Sequence, residues 1–139
     1  MKRDHTLFYK KGFEYVSTRD YHIKLDVVPY APIDEDWVSM DMEGNTIVYR
    51  KYHWDGCSGP APDTDANMIA GFIHDLGYQL IRLGFIDIQY KEYFDQLLHD
   101  IYTEDGGIKA FADIFQWAVL RFGMKSCRPS SEPMEYMAP

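Results

Sequence analysis

The stretch that decides the fold is Trp54-Asp55-Gly56-Cys57-Ser58-Gly59-Pro60, a polar loop sequence, followed by the amphipathic run that contains His74-Asp75-Leu76-Gly77-Tyr78. In this run the apolar side chains recur at the spacing of one broad helix face. Asp63-Thr64-Asp65 precedes it with side-chain oxygens that suit the first free N–H groups of a helix. Gly84 follows as a stop signal. Together these features predict a helix over Asp65–Leu83.

A narrow polar stripe remains on the other side of this helix. His74 and Tyr78 lie one turn apart on it, and Asp75 lies beside them. A histidine exchanges a proton near neutral pH, and a neighbouring carboxylate can hold a cation or orient a donor. The same three residues also suit a buried hydrogen-bond network that only fixes helix packing. The pattern leaves both interpretations open.

Strand patterns precede the helix. Apolar and polar residues alternate over 13–28, and Trp37–Met42 and Thr46–Tyr52 flank a Glu43-Gly44-Asn45 turn, as in a β-hairpin. No period is visible in residues 1–12, for which an irregular arm is expected. Strands followed by helices are typical of an α+β fold. We therefore predict a small antiparallel sheet in the N-terminal half, packed with three α-helices in the C-terminal half.

The two further helices are expected at about Ile88–Glu104 and Ile108–Phe122, separated by the break Asp105-Gly106-Gly107. In the first of them Asp95 lies at the edge of the apolar side, where a carboxylate is costly unless it is paired. His74 on the preceding helix is the expected partner. The second is predicted to end at Gly123 and to bury an apolar side made of Phe111, Ile114, Phe115, Ala118, Val119 and Phe122.

The composition predicts one globular domain. Of 139 residues 46% are hydrophobic, which is enough for one core. We assign residues 1–124 to a single α+β domain and residues 125–139, rich in Pro, Ser and Met, to a tail. The formal net charge of −8 disfavours binding to nucleic-acid backbones. No secretory signal and no apolar run long enough to span a bilayer is visible, so a soluble cytoplasmic protein is expected.

The loop over residues 55–60 is a candidate cation site. Its two glycines and one proline fix an unusual backbone that can aim several carbonyls at one point. With the Asp55 carboxylate these would suit a hard cation such as calcium, although glycine-rich turns are also common as tight corners. The only cysteines are Cys57 and Cys127, which excludes a disulfide framework and a four-cysteine metal site.

Four motifs occur in a characteristic order: Asp55-Gly-Cys-Ser-Gly-Pro60, His74-Asp75-x-x-Tyr78, Asp95, and Ala118-Val119-x-Arg121-Phe122-Gly123. In this order they resemble a family of phage and prophage proteins catalogued as domain of unknown function 1353. The resemblance covers roughly residues 37–123. This sequence departs from the family pattern at Lys91 and Phe94, where the family has Arg and Ala. The resemblance implies a phage protein that is located in the host cytoplasm or in the virion.

The order of loop, His-Asp helix and second-helix Asp is also similar to secreted calcium-dependent phospholipases. That similarity implies His74 as the base that activates a water and Asp95 as the carboxylate that orients it. Tyr78 would hydrogen-bond the same network. Asp75 would bind calcium, together with Asp55 and the carbonyls from Gly56 to Gly59. The disulfides of such lipases are absent here, and the loop is shorter.

Two functions are compatible with these observations. The first is a phage-encoded hydrolase that uses a water held by His74, with or without calcium, to cleave an ester or amide bond. The second is a non-catalytic virion or host-interaction protein whose His-Asp-Tyr network is structural. The partner is an unidentified substrate in the first case and a phage or host protein in the second.

Overall fold

The chain has an α+β fold in the computed structural model, which describes residues 1–56 and 64–129. The α-helices in these residues are α1 (Met68–Arg82), α2 (Lys91–Glu104) and α3 (Lys109–Phe122), with short 3-10 helices at Ile88–Tyr90 and Gly123–Cys127. The strands that precede them are β1 (Tyr9–Lys11), β2 (Tyr15–Ser17), β3 (Tyr21–Lys24), β4 (Ile33–Asp34), β5 (Val38–Met40), β6 (Asn45–Val48) and β7 (His53–Trp54). The predicted fold class is confirmed.

The strands form two antiparallel sheets rather than one. The first has the order β1-β2-β7 and the second the order β3-β6-β5-β4. Residues 21–28 alternate strictly between buried and exposed, as predicted. The predicted hairpin is β5–β6, and Gly44 in its turn has a φ of 87°. A Cβ at Gly44 would lie 1.9 Å from the carbonyl oxygen of Leu25, so only glycine fits this turn.

The prediction of an irregular arm over residues 1–12 is wrong. Tyr9–Lys11 forms β1 and pairs with β2, and Arg3 forms an isolated β-bridge with Ile23 of β3. The buried Arg3 guanidinium pairs with Glu104 (2.9 Å) and Asp105 (2.7 Å) at the end of α2. No local pattern signals this contact, because the two carboxylates lie 101 and 102 residues further along the chain.

Helix α1 is the central element of the core. The ring of Phe72 contacts the rings of Tyr21 and Trp54, one from each sheet, at 5.3 and 5.0 Å. On another side Gly77 lies against Phe94 of α2, where a Cβ would be 2.3 Å from the ring. Helix α1 is thus enclosed by both sheets and α2, and Gly77 allows the close approach of α2.

The start of α1 differs from the prediction. The helix begins at Met68 rather than Asp65, because the Asn67 side chain accepts a hydrogen bond from the Thr64 N–H (2.9 Å) and closes a turn before the helix. Asp63 lies outside the described residues. At the other end Gly84 has a φ of 79°, and its N–H donates to the carbonyl of Ile81, as in a Schellman motif.

Helix α3 buries a different stripe from the predicted one. Phe115 is buried and makes an edge contact with Tyr102 of α2 at 5.2 Å. Three residues expected in the core are instead exposed: Phe111 (47%), Ile114 (47%) and Phe122 (65%). Because α3 carries apolar residues all round, its periodicity could not show which side packs.

The packed part of the chain continues past residue 124, the predicted domain boundary. Residues Gly123–Cys127 form a 3-10 helix, and Cys127 is part of the core. Residues 130–139, the rest of the predicted tail, lie outside the described residues. Among the helices of the described residues, none is both long enough and apolar enough to cross a membrane.

The burial of α3 gives a matched pair of substitutions. We expect Phe115→Ala to lower the free energy of unfolding by about 3–5 kcal/mol, because it leaves a cavity in the core. Phe111→Ala, the same change one turn earlier on the exposed side, is expected to cost about 1 kcal/mol or less. Urea unfolding followed by tryptophan fluorescence measures both. Equal costs would contradict the observed orientation of α3.

Candidate functional site

A cleft of about 720 Å³ opens beside the polar stripe of α1, and we call it the His74 cleft. Asp55 and Gly56 line it from the end of β7, and His74, Asp75 and Tyr78 line it from α1. The opposite wall belongs to α3 and the 3-10 helix after it: Ala118, Val119, Phe122, Gly123 and Ser126. The fold therefore brings five of the predicted site residues to one cavity. Gly59, also predicted, lies outside the described residues.

Asp95 lies behind this cleft, fully buried in the interface of α1 and α2. Its Oδ1 is 2.9 Å from Nε2 of His74, which confirms the predicted contact between the two side chains. The close crossing at Gly77 explains why they meet. Phe94 lies against that glycine, and Asp95 is the next residue of α2. His74 itself is only 2% exposed.

Two further donors complete the surroundings of the Asp95 carboxylate. The Tyr78 hydroxyl donates to Oδ1 (2.5 Å), and the Lys91 ammonium donates to Oδ2 (2.5 Å). Lys91 is buried as well and donates a second hydrogen bond to the backbone carbonyl of Val119 (2.9 Å). The network therefore connects α1, α2 and α3 around one carboxylate.

Asp95 is ionised in this setting. Burial by itself would raise the pKa of its carboxyl, but the hydrogen bonds from His74, Lys91 and Tyr78 outweigh burial and hold the pKa below its usual value. The pKa of the Tyr78 hydroxyl is raised, first because it is buried and then because it donates to the Asp95 carboxylate. Tyr78 therefore remains a protonated donor at neutral pH.

The ionised carboxylate determines the tautomer of His74. A carboxylate without a proton only accepts hydrogen bonds, so its contact with His74 requires a proton on Nε2. In the neutral ring the lone pair is then on Nδ1. His74 lines the cleft whereas Asp95 does not, and Nδ1 is the ring nitrogen left for the cleft. A histidine oriented in this way can accept a proton from a water molecule bound there.

Tyr78 is positioned by contacts on two sides. Its ring centroid is 4.1 Å from that of His74, one helical turn earlier. Its hydroxyl lies against Gly123, where a Cβ would be 2.2 Å from the oxygen. Helix α3 ends at Gly123 as predicted, but the residue has an ordinary helical φ of −74°. Close approach of Tyr78, not a left-handed backbone, is therefore what requires glycine at this position.

The predicted calcium ligands are only partly assembled by the described residues. Asp55, Gly56 and Asp75 share the cleft, and carboxylate and carbonyl oxygens are the donors that calcium takes. Two carboxylates supply fewer ligands than the roughly six to eight oxygens that calcium needs. Within residues 1–56 and 64–129, no group of three His, Cys, Asp or Glu side chains is arranged to hold a metal ion.

The sequence pattern did not indicate three features of the site. Lys91, noted only as a departure from the family pattern, is the charge partner of Asp95. His53 lines the cleft with its Nδ1 2.9 Å from Glu14, which makes a second, exposed imidazole–carboxylate pair. Trp54 also lines the cleft, and its indole is buried. In β7 the side chain of Trp54 is buried and that of His53 is exposed.

No family model matches the chain, and no curated protein or solved structure matches it either. The resemblance to the phage family stays a prediction, and the geometry of the cleft is what bears on function.

The lowered pKa of Asp95 makes a pH-dependent contribution to stability. Because the folded pKa lies below the unfolded value of about 3.9, the stabilisation is fully present above that value. It is lost as the pH falls through the folded pKa. In this window the Asp95 contribution should decrease by up to about 1.4 kcal/mol per pH unit. Urea unfolding across the acid range measures the decrease.

Other carboxylates with a lowered pKa, such as Asp41, Asp87 and Asp113, also titrate in this acid range. The control protein must therefore keep these carboxylates and lack only the buried charges of Lys91 and Asp95. The double variant Lys91→Gln/Asp95→Asn keeps side chains that can hydrogen-bond one another and removes both charges. Its unfolding free energy should fall less steeply with decreasing pH than that of the wild type. Parallel curves would contradict an ionised Asp95.

Proposed function

We propose that this chain is a hydrolase of an ester or amide bond in which His74 is the general base. The observation that carries the proposal is the contact between Nε2 of His74, which lines the cleft, and the Asp95 carboxylate buried behind it. It leaves Nδ1 of His74 as a proton acceptor on the cleft side. A base–carboxylate pair of this kind is what activation of a water molecule needs.

In the proposed reaction a water in the cleft gives a proton to Nδ1 of His74 as its oxygen attacks the carbonyl carbon. The resulting imidazolium is stabilised by the Asp95 carboxylate through Nε2. Collapse of the tetrahedral intermediate breaks the C–O or C–N bond, and the proton on Nδ1 passes to the leaving group. Tyr78 and Lys91 act as positioning residues, because they hold Asp95 and do not bear on the reacting atoms.

Lys91 supports this assignment in a second way. A buried carboxylate that had only a histidine as its partner would need that histidine to be charged. Lys91 already supplies a positive charge 2.5 Å from Oδ2 of Asp95. His74 is therefore not required as a permanent cation, and its neutral form can serve as a base.

Calcium assistance is part of the proposal. The residues that would hold the ion are Asp75, Asp55 and Gly56, with Gly59 as the further predicted ligand. Calcium, when bound, would supply positive charge beside the carbonyl oxygen of the substrate. The Asp55 and Asp75 carboxylates fit this role in charge and in donor type.

A second candidate function is a non-catalytic interaction protein of a phage, in the virion or bound to a host protein. The observation that favours it is the outer side of α3, where Phe111, Ile114 and Trp117 are each about half exposed. Contiguous apolar surface of this kind is typical of protein interaction sites. In that case the Asp95 network would serve only to join the three helices.

The catalytic proposal predicts a specific loss of activity. We expect His74→Gln to lower kcat/KM for ester hydrolysis by about 10²–10⁴-fold, the usual contribution of a general base. The glutamine amide can still donate to Asp95, so the fold should be retained. His53→Gln is the matched control, because it removes the other imidazole that lines the cleft, and it should retain most of the activity.

Hydrolysis of a panel of p-nitrophenyl esters and of phospholipid vesicles, with circular dichroism to check folding, makes this measurement. If the wild type turns over none of these substrates and His74→Gln only lowers the melting temperature, His74 is a structural residue. If His53→Gln removes the activity instead, the base has been assigned to the wrong histidine.

The calcium proposal predicts a binding heat that depends on Asp75. Calorimetric titration of the wild type with calcium chloride should give a weak, saturable signal, because the proposed site has only two charged ligands, Asp55 and Asp75. Asp75→Asn should reduce the affinity about tenfold or more, since it removes a charged ligand. Magnesium chloride serves as the matched titrant. Equal heats for wild type and Asp75→Asn would contradict the assignment of Asp75.

A further inference from the structure

The indole N–H of Trp54 is a buried donor without an acceptor. Its Nε1 is shielded from solvent and finds no hydrogen-bond partner in the described part of the chain. A buried N–H left unpaired destabilises the fold, and a buried tryptophan usually has a partner for this group. The other such atom, Nε of Arg3, belongs to a guanidinium that two carboxylates already hold. Trp54 has no such compensation.

The position of the indole is fixed by the aromatic rings around it. Trp54 stacks on Tyr15, its register partner in β2, with ring centroids 5.4 Å apart. The edge contacts with Phe72 (5.0 Å) and Tyr9 (6.0 Å) hold it from two other directions. Turning the ring to find another acceptor would break these contacts. The donor is therefore preorganised, which is the property that a ligand-binding group needs.

Trp54 lines the same cleft as His74, and the charged side chains of this cleft disfavour an anionic ligand. Its acidic side chains are Glu14, Asp55 and Asp75, against one guanidinium from Arg82. This balance offers no excess of positive charge for an anion. A neutral N–H donor in such a cleft suits the carbonyl oxygen of an uncharged ester or amide.

We infer that the Trp54 indole N–H binds the carbonyl oxygen of the substrate in the His74 cleft. This inference rests on the proposed hydrolase function and adds the group that recognises the substrate carbonyl. When the water oxygen adds to the carbonyl carbon, the π electrons of the C=O bond move to that oxygen. The Trp54 N–H then donates to an oxyanion, and the hydrogen bond strengthens as charge develops.

The binding part is tested without any turnover, by following the indole N–H signals in a ¹H–¹⁵N spectrum. The chain has three tryptophans, and the signal that is missing from Trp54→Phe identifies Trp54. Titration with N-methylacetamide, a small neutral carbonyl compound, should move the Trp54 proton downfield to saturation. The signals of Trp37 and Trp117 are internal controls and should drift only in proportion to the added compound. Sodium acetate, the anionic counterpart, should bind more weakly.

A Trp54 signal that does not respond to N-methylacetamide would overturn the inference, because the N–H would then not bind a carbonyl compound in the cleft. A stronger response to acetate would overturn the choice of an uncharged ligand. Neither result depends on catalysis. The inference can therefore fail while the His74 hydrolase stands, and carbonyl binding can be observed even if no substrate is turned over.

The catalytic part is tested by an isosteric replacement. Benzothienylalanine introduced at position 54 keeps the bicyclic ring and its stacking but replaces the N–H with sulfur. We expect kcat for ester hydrolysis to fall by about 10²-fold, as for the loss of one oxyanion donor, while thermal stability is kept or rises because an unpaired donor is gone. Unchanged kcat would contradict a role for the N–H, and a lowered melting temperature would mean that the N–H had a structural partner.

Discussion

The structure depends on the burial of one carboxylate. Asp95 has no exposure to solvent, and an ionised carboxylate in such a place must be compensated by several donors. His74, Tyr78 and Lys91 meet this requirement from two helices, and Lys91 extends it to α3 through the Val119 carbonyl. Removing one partner leaves a charge without compensation, whereas the complete set fixes the relative positions of the three helices.

The same constraint shapes the cleft. Helices α1 and α2 can approach only because Gly77 has no side chain in the way of Phe94, and Tyr78 reaches Asp95 only because Gly123 leaves room for its hydroxyl. The carboxylate then holds the imidazole of His74 with Nε2 inward. What faces the cleft is a histidine of fixed tautomer on a rigid helix, with a preorganised indole in the adjoining wall. Rigid support of this kind is what the proposed catalytic role of His74 requires.

Much of this could be predicted from the sequence, wherever the signal was local. The i, i+4 spacing of His74 and Tyr78, the costly position of Asp95 and the alternation over residues 21–28 all pointed to what the structure contains. What was missed depends on contacts between distant parts of the chain. The Arg3 ion pairs, the Glu14–His53 pair and the choice of buried stripe in α3 all follow from tertiary packing. Such contacts between distant residues leave no periodic pattern in the sequence.

The proposed role of His74 depends on one property: Asp95 holds the ring proton on Nε2, so that the neutral form of the ring has its lone pair on Nδ1. Long-range ¹H–¹⁵N correlation spectra of the histidine ring measure this most directly, with His74→Gln identifying the signals. For the neutral ring, we predict that Nε2 carries the proton and Nδ1 has the chemical shift of an unprotonated nitrogen. The opposite tautomer, with the proton on Nδ1, would require Asp95 to donate and would contradict both its ionised state and the proposed role of His74.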